Sequence, residues 1–252
     1  MNTITWNKFK KARGCFCSYV KMLSESLSNL KNIQQELINN RSDGKTPAYT
    51  VDTPVVYNRA LDDITVNDEI KLILVADNPG RREQTAENRR YLTGPSGKIA
   101  DKFFTDNPAL GIDFKKNVII LNKTPIHSPR TVELRELCRM DPDKFTIKTA
   151  VEESQKIMSS LLLEFHEAFV CPVWITGYSE MRKGGIFGIY TENLKKMYTD
   201  KKELINKLFI YRHFSMNQFT IDLKQKALPE ETVRKSLKRI GADYRYRILG
   251  QF

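Results

Sequence analysis

Three apolar runs along this chain stop abruptly at short polar side chains. Leu72-Ile73-Leu74-Val75-Ala76 gives way to Asp77-Asn78-Pro79-Gly80, and Asn117-Val118-Ile119-Ile120-Leu121 to Asn122-Lys123-Thr124-Pro125. Leu208-Phe209-Ile210-Tyr211 gives way to Arg212-His213-Phe214-Ser215, and a fourth run, Ala168 to Thr176, ends at Gly177. Short continuous apolar runs bounded by turn residues read as strands buried on both faces. Between them the pattern is helical, opening at Gly94-Pro95-Ser96-Gly97 and running through Phe104, then near 131–139, 148–166, 191–205, 217–226 and 230–240. Strands alternating with helices imply a parallel sheet covered on both faces, so the pattern predicts an α/β protein, a three-layer α/β/α sandwich with a mostly parallel central sheet of about four strands. Upstream, Tyr19, Met22, Leu23, Leu27, Leu30, Ile33 and Leu37 recur every three or four residues without a strand signal. Loop residues from Asn39 to Gly44 close that segment, and 41–70 reads as a partly extended connector. The expected division is an N-terminal helical extension with connector over 1–70, packed on an α/β domain over 71–252.

Composition adds a few constraints. The 252 residues are 40% hydrophobic and 28% charged, ordinary for a globular chain. No run approaches the roughly 20 apolar residues of a membrane span, and Met1-Asn2-Thr3-Ile4-Thr5-Trp6-Asn7-Lys8 lacks the apolar core of a signal peptide. No two of Cys15, Cys17, Cys138 and Cys171 form a CxxC pair; the one-residue gap of Cys15 and Cys17 is unusual for zinc or iron–sulfur loops, and Cys171 reads as a buried thiol. A cytoplasmic monomer without membrane contact, metal or organic cofactor is expected. The net charge of +11 favours polyanionic partners, because neutralised phosphates release condensed counterions. Basic clusters at Arg81-Arg82, Arg89-Arg90 and Tyr244-Arg245-Tyr246-Arg247 suit a DNA backbone. Gly94-Pro95-Ser96-Gly97-Lys98 is not a P-loop: two residues rather than four separate its glycines, and Ile99 follows the lysine.

Chemistry in open α/β sheets sits beyond the carboxyl ends of the strands. Read in order, the loops there resemble the uracil-DNA glycosylase superfamily. Ala76-Asp77-Asn78-Pro79-Gly80 is similar to that family's Gly-x-Asn-Pro-Gly and Gly-Glu-Ala-Pro-Gly motifs. Arg81-Arg82-Glu83 and Arg89-Arg90-Tyr91-Leu92-Thr93-Gly94-Pro95-Ser96-Gly97 follow, close to the Arg-x-x-Glu and Arg-Pro-Phe-Val-Gly-Pro-Ala-Gly blocks of its iron–sulfur branch. Asn122 ends an apolar strand as the family's base-reading Asn does, and His213-Phe214-Ser215 is similar to His-Pro-Ser. The resemblance covers 71–220. It departs at Ala76 for Gly, at Phe214 for Pro, and at Thr124, where the iron–sulfur branch has Cys; no cluster is expected.

The resemblance implies a DNA base-excision enzyme that hydrolyses the bond between uracil, or a related damaged base, and deoxyribose. Asn78 would position the attacking water, and Asp77 would orient water or support a cationic sugar. Asn122 would read the base edge with one amide, Tyr91 would stack on the extruded base, and neutral His213 would donate to O2 as charge develops. Ser96 and Ser215 suit phosphate contacts, while Phe214 and Met216 would wedge the duplex. Each residue also has a structural reading: turn-capping for both Asn residues, a satisfied buried ring for His213, core for Tyr91. Their joint occurrence in order argues for a site, whereas His127 and His166 look incidental. A nucleic-acid-binding member of the fold without turnover is the alternative; a hydrolase of small nucleosides is a third.

Overall fold

A computed structural model describes residues 1–40, 48–143 and 146–251. The chain opens with α1 (Thr3–Ser26) and α2 (Leu30–Asn39). β1 (Leu72–Ala76) leads to α3 (Pro95–Asp106), and β2 (Val118–Asn122) to α4 (Glu133–Met140) and α5 (Thr146–Phe169). β3 (Val173–Thr176) leads to α6 (Tyr178–Met181), α7 (Gly188–Tyr198) and α8 (Lys202–Ile205); β4 (Leu208–Tyr211) leads to α9 (Gln218–Lys226) and α10 (Val233–Leu249).

The four strands form one all-parallel sheet in the order β2-β1-β3-β4. Central β1 is buried at every position, which is why its run is unbroken by polar residues. Alternate strand residues feed two layers. Ile73, Val75, Ile119 and Leu121 join Leu162 and Phe165 of α5 and Tyr190 and Leu194 of α7. Leu72, Leu74, Trp174 and Phe209 join Phe103 and Phe104 of α3 and Phe219 of α9. Pairing Ala76 with Asn122 and Thr176 with Tyr211 brings the carboxyl ends of all four strands to one edge of the sheet. At the β4 side α10 approaches so closely that a Cβ on Gly241 would lie 2.6 Å from the Tyr211 ring, so only glycine fits.

The N-terminal segment folds as two helices, breaking at Leu27-Ser28-Asn29, where two good capping residues adjoin. Its apolar stripe, Phe9, Ala12, Phe16, Val20 and Leu23, is buried in the same core as Ile73 and Val75. Phe9 meets Phe165 and Phe169 of α5 at 6.0 and 5.7 Å. The loop expected to close this segment falls, from residue 41 to 44, outside the described residues. Cys15 and Cys17 sit on the exposed face of α1; Cys171 is buried, its thiol pushed up to about 12 by loss of solvent. No described helix is long and apolar enough to cross a membrane.

Three element boundaries differ from the pattern. Ala168 and Phe169 end α5, and β3 starts only at Val173, after Val170 in a left-handed conformation and Pro172. The helix expected over 191–205 is interrupted at Thr199 to Lys201. α10 starts where the Thr232 side chain caps the Lys235 N–H at 3.3 Å and runs through Gly241, which is packed against β4, to Leu249 before Gly250 at a positive φ.

Candidate functional site

The strand ends open onto a cleft of about 1030 Å³. Its walls are Asp77, Asn78 and Gly80 to Glu83 after β1, the α3 start at Gly94, Pro95 and Ser96, Ser128 to Thr131 after β2, Gly177, Ser179 and Glu180 after β3, and Arg212, His213, Ser215 and Met216 after β4. Of the expected residues, Asp77, Asn78, His213, Ser96, Ser215 and Met216 are brought together here.

Asp77 is buried, and its Oδ1 accepts from the Lys123 ammonium at 2.5 Å. Lys123 is wholly inaccessible; it also donates to the Thr176 carbonyl, and its Nζ stands 4.8 Å from the Phe187 ring centroid. Burial alone would raise the Asp77 carboxyl, but Lys123, His213 and hydrogen bonds from Lys123 and Thr131 together hold it below the ordinary carboxylate value. Burial pulls the Lys123 ammonium down while the Asp77 charge and hydrogen bond oppose this. With two oxygen acceptors and an aromatic face around the ammonium, the pair is ionised at neutral pH. Asp77 is therefore a fixed negative charge beside the cleft.

That pair depends on Gly177. Its φ of +90° disfavours any L side chain, and a Cβ there would lie 2.2 Å from Asp77 Oδ1 and 3.0 Å from Lys123 Nζ. Gly177→Ala is expected to lose at least about 1–2 kcal/mol from the left-handed backbone alone. Urea denaturation measures this; an unchanged midpoint would refute the close-packing account.

Asn78 is held at both ends of its amide. Nδ2 donates to Ser128 Oγ at 2.9 Å and to the Ser128 carbonyl at 3.2 Å, while Oδ1 accepts from Thr131 Oγ1 at 3.1 Å. The loop carrying Asn78 is fixed from below by His127, a fully buried ring bonded to the Pro79 carbonyl through Nδ1 at 2.8 Å and to the Tyr49 hydroxyl through Nε2 at 3.0 Å. Burial lowers the His127 pKa to about 4, so the ring is neutral and donates from Nδ1. Gln34 of α2 in turn donates to the His127 carbonyl at 2.7 Å and the Pro54 carbonyl at 3.1 Å. His127 is thus part of the scaffold that fixes the Asn78 loop.

His213 is poised as a donor. The backbone N–H of Ser215 points at its Nδ1 at 3.0 Å, and Ser215 Oγ is 2.9 Å from the same atom. Nδ1 is thereby an acceptor, and the proton of the neutral ring resides on Nε2. Burial lowers the imidazole pKa, with Lys123 adding to the effect and Asp77 opposing it.

Four arginines, Arg81, Arg82, Arg130 and Arg212, line the cleft against Asp77, Glu83 and Glu180. Arg81 lies over the Tyr49 ring, 4.9 Å from its centroid. The Glu83 carboxyl is raised to about 7 by burial, restrained by backbone N–H bonds from Gly80, Leu92 and Thr93, so it ties the β1 loop to the segment before α3.

Three expected residues are placed elsewhere. Tyr91 is buried in the core, its hydroxyl donating to the Val56 carbonyl and its ring 6.4 Å from Phe16; it offers no face to a base in the cleft. Its neighbour Leu92, at a φ of +51°, lines the cleft instead. Phe214 is fully buried, stacked on Phe219 at 4.4 Å, and cannot act as a wedge; Met216, 81% exposed, is the apolar side chain left at the rim. Asn122 is buried at 1% exposure and does not line the cleft, yet both its Oδ1 and Nδ2 lack partners among the described residues. By strand alternation its side chain shares the sheet face of Val118 and Ile120, the face that carries Ala76 and Leu92. Lys123, Ser128 and Thr131 were not singled out in the sequence. The available signal was a lysine directly following a buried strand, and the Ser128–Thr131 hydroxyls in the adjoining loop.

Comparison of the chain with protein-family models, curated proteins and solved structures finds no match.

Proposed function

We propose that this cleft hydrolyses the N-glycosidic bond of uracil or a related damaged base in DNA. The observation that carries this reading is the gathering of the Asn78 amide, the Asp77 charge and a neutral His213 around one arginine-lined cleft. Water held by Asn78 attacks the sugar carbon as the carbon–nitrogen bond breaks, and that bond's electron pair leaves with the base. His213 Nε2–H stabilises the charge developing on the departing base. The fixed Asp77 carboxylate supports the cationic sugar, and the surplus water proton passes to solvent. Asn122 is the proposed base reader. A buried amide without partners costs a few kcal/mol, and a base edge would supply them. Arg81, Arg82, Ser96 and Ser215 contact the phosphates, and Met216 enters the stack.

The test is incubation with uracil-containing single- and double-stranded oligonucleotides followed by alkaline cleavage at abasic sites. Cleavage by the wild-type protein, strongly reduced in Asn78→Ala, is the expected result; its absence on uracil, hypoxanthine and mismatched thymine would refute the reading. One observation favours nucleic-acid binding without turnover: apart from the His213 imidazole, no aromatic ring among the described residues lines the cleft. Filter binding at graded salt separates the two, since a binder alone shows a steep salt slope and no product.

A further inference from the structure

The loop after β2 supplies a hydroxyl that touches both residues assigned to the water. Thr131 Oγ1 lies 3.2 Å from Asp77 Oδ2 and 3.1 Å from Asn78 Oδ1. Both partners are acceptors and the hydroxyl has one hydrogen, so it fully satisfies only one of them at a time. The Asn78 amide cannot rotate to relieve this conflict. Its Nδ2 is committed to Ser128, whose Oγ donates onward to the Arg130 carbonyl at 2.8 Å. An ionised carboxylate is the stronger acceptor of the two.

We propose that Thr131 is a positioning residue that gives its proton to Asp77, leaving Asn78 Oδ1 free to accept a hydrogen from the attacking water. The inference rests on the glycosylase reading of this cleft. It assigns Asn78 a defined polarity: the amide receives water through oxygen, never through nitrogen. It also couples the two residues, because a water that displaces Thr131 from Asn78 strengthens its bond to Asp77. Around Asp77 the charged and titratable groups are Lys123 beyond β2 and His213 beyond β4; Gly177 presents no side chain, and Glu180 of α6 faces Lys123. None of them can replace a hydroxyl bridging to Asn78.

Thr131→Val keeps the shape and removes the donor; Thr131→Ser restores it. On a single-stranded uracil oligonucleotide, Thr131→Val is expected to lower kcat roughly 10- to 100-fold, as for other misplaced reacting groups, with KM little changed, and Thr131→Ser to retain most of the rate. Without substrate, carbon-13 NMR of the Asp77 carboxyl should show its titration moving to higher pH in Thr131→Val and not in Thr131→Ser, because the carboxylate loses a donor. Thermal denaturation verifies that both variants are folded. A wild-type kcat in Thr131→Val, or an unmoved Asp77 titration, overturns the role. No turnover by the wild-type protein sinks the glycosylase reading, and this role with it, whatever the titration does.

Discussion

Lys123→Met is expected to destabilise the protein by about 3–5 kcal/mol, the cost of leaving a buried charge without its partner. The ammonium is wholly enclosed and binds Asp77 and the Thr176 carbonyl beneath the cleft. Methionine fills the volume, can still rest on Phe187, and supplies no charge. For a chain of this size the melting temperature should fall by roughly 10 °C. The pH dependence identifies the cause. The folded Asp77 pKa lies below its ordinary 3.8, so its contribution is complete above that value and fades as pH falls through the lower, folded one. In Lys123→Met this contribution is missing at neutral pH, and the gap to wild type narrows under acid conditions as Asp77 protonates. Adding Asp77→Asn should recover part of the loss. Calorimetry from neutral to acid pH measures all three proteins; a single variant melting within about 2 °C of wild type would refute the buried pair's role.

His213→Ala should reduce kcat on a uracil oligonucleotide by about 10²–10³-fold, the usual effect of deleting one preorganised donor. Binding should change far less, because the phosphate contacts assigned to arginine and serine remain. The ring's tautomer follows from the Ser215 N–H aimed at Nδ1. Protonating Nδ1 would set two donors against each other, which agrees with an imidazole pKa below its ordinary 6.5. Nitrogen-15 NMR of the imidazole should find a neutral ring, protonated on Nε2, persisting below that pH. A charged ring at pH 7, or a variant with wild-type turnover, would remove His213 from the chemistry.

The sheet was legible because strands buried on both faces need unbroken apolar runs, and Asn78 and His213 were legible because they follow such runs directly. Tyr91 misled for a local reason. Arg89 and Leu92 both adopt left-handed backbone conformations, which turn Tyr91 into the core and Leu92 toward the cleft, and nothing in a pattern of apolar spacing marks such a twist at non-glycine residues. Phe214 stands in a polar loop beside His213, but Phe219, the second residue of α9, is its stacking partner. The Lys123–Asp77 pair joins residues far apart in sequence, and a lysine at a strand end ordinarily reads as solvated. The connection from Gln34 through His127 to Pro79 was hidden likewise, since each link crosses between segments that show no mutual signal.

The packing of α1 on α5 has a consequence for synthesis. The α1 stripe is synthesised well before α5, which begins only at Thr146 and whose Phe165 and Phe169 pack on Phe9. At about 5–20 residues per second the wait is roughly 6–24 s, during which this stripe is open to solvent and to neighbouring nascent chains. The protein's yield in cells should therefore depend on chaperone occupancy of its first helix, and slowing translation between α2 and α5 should lower it.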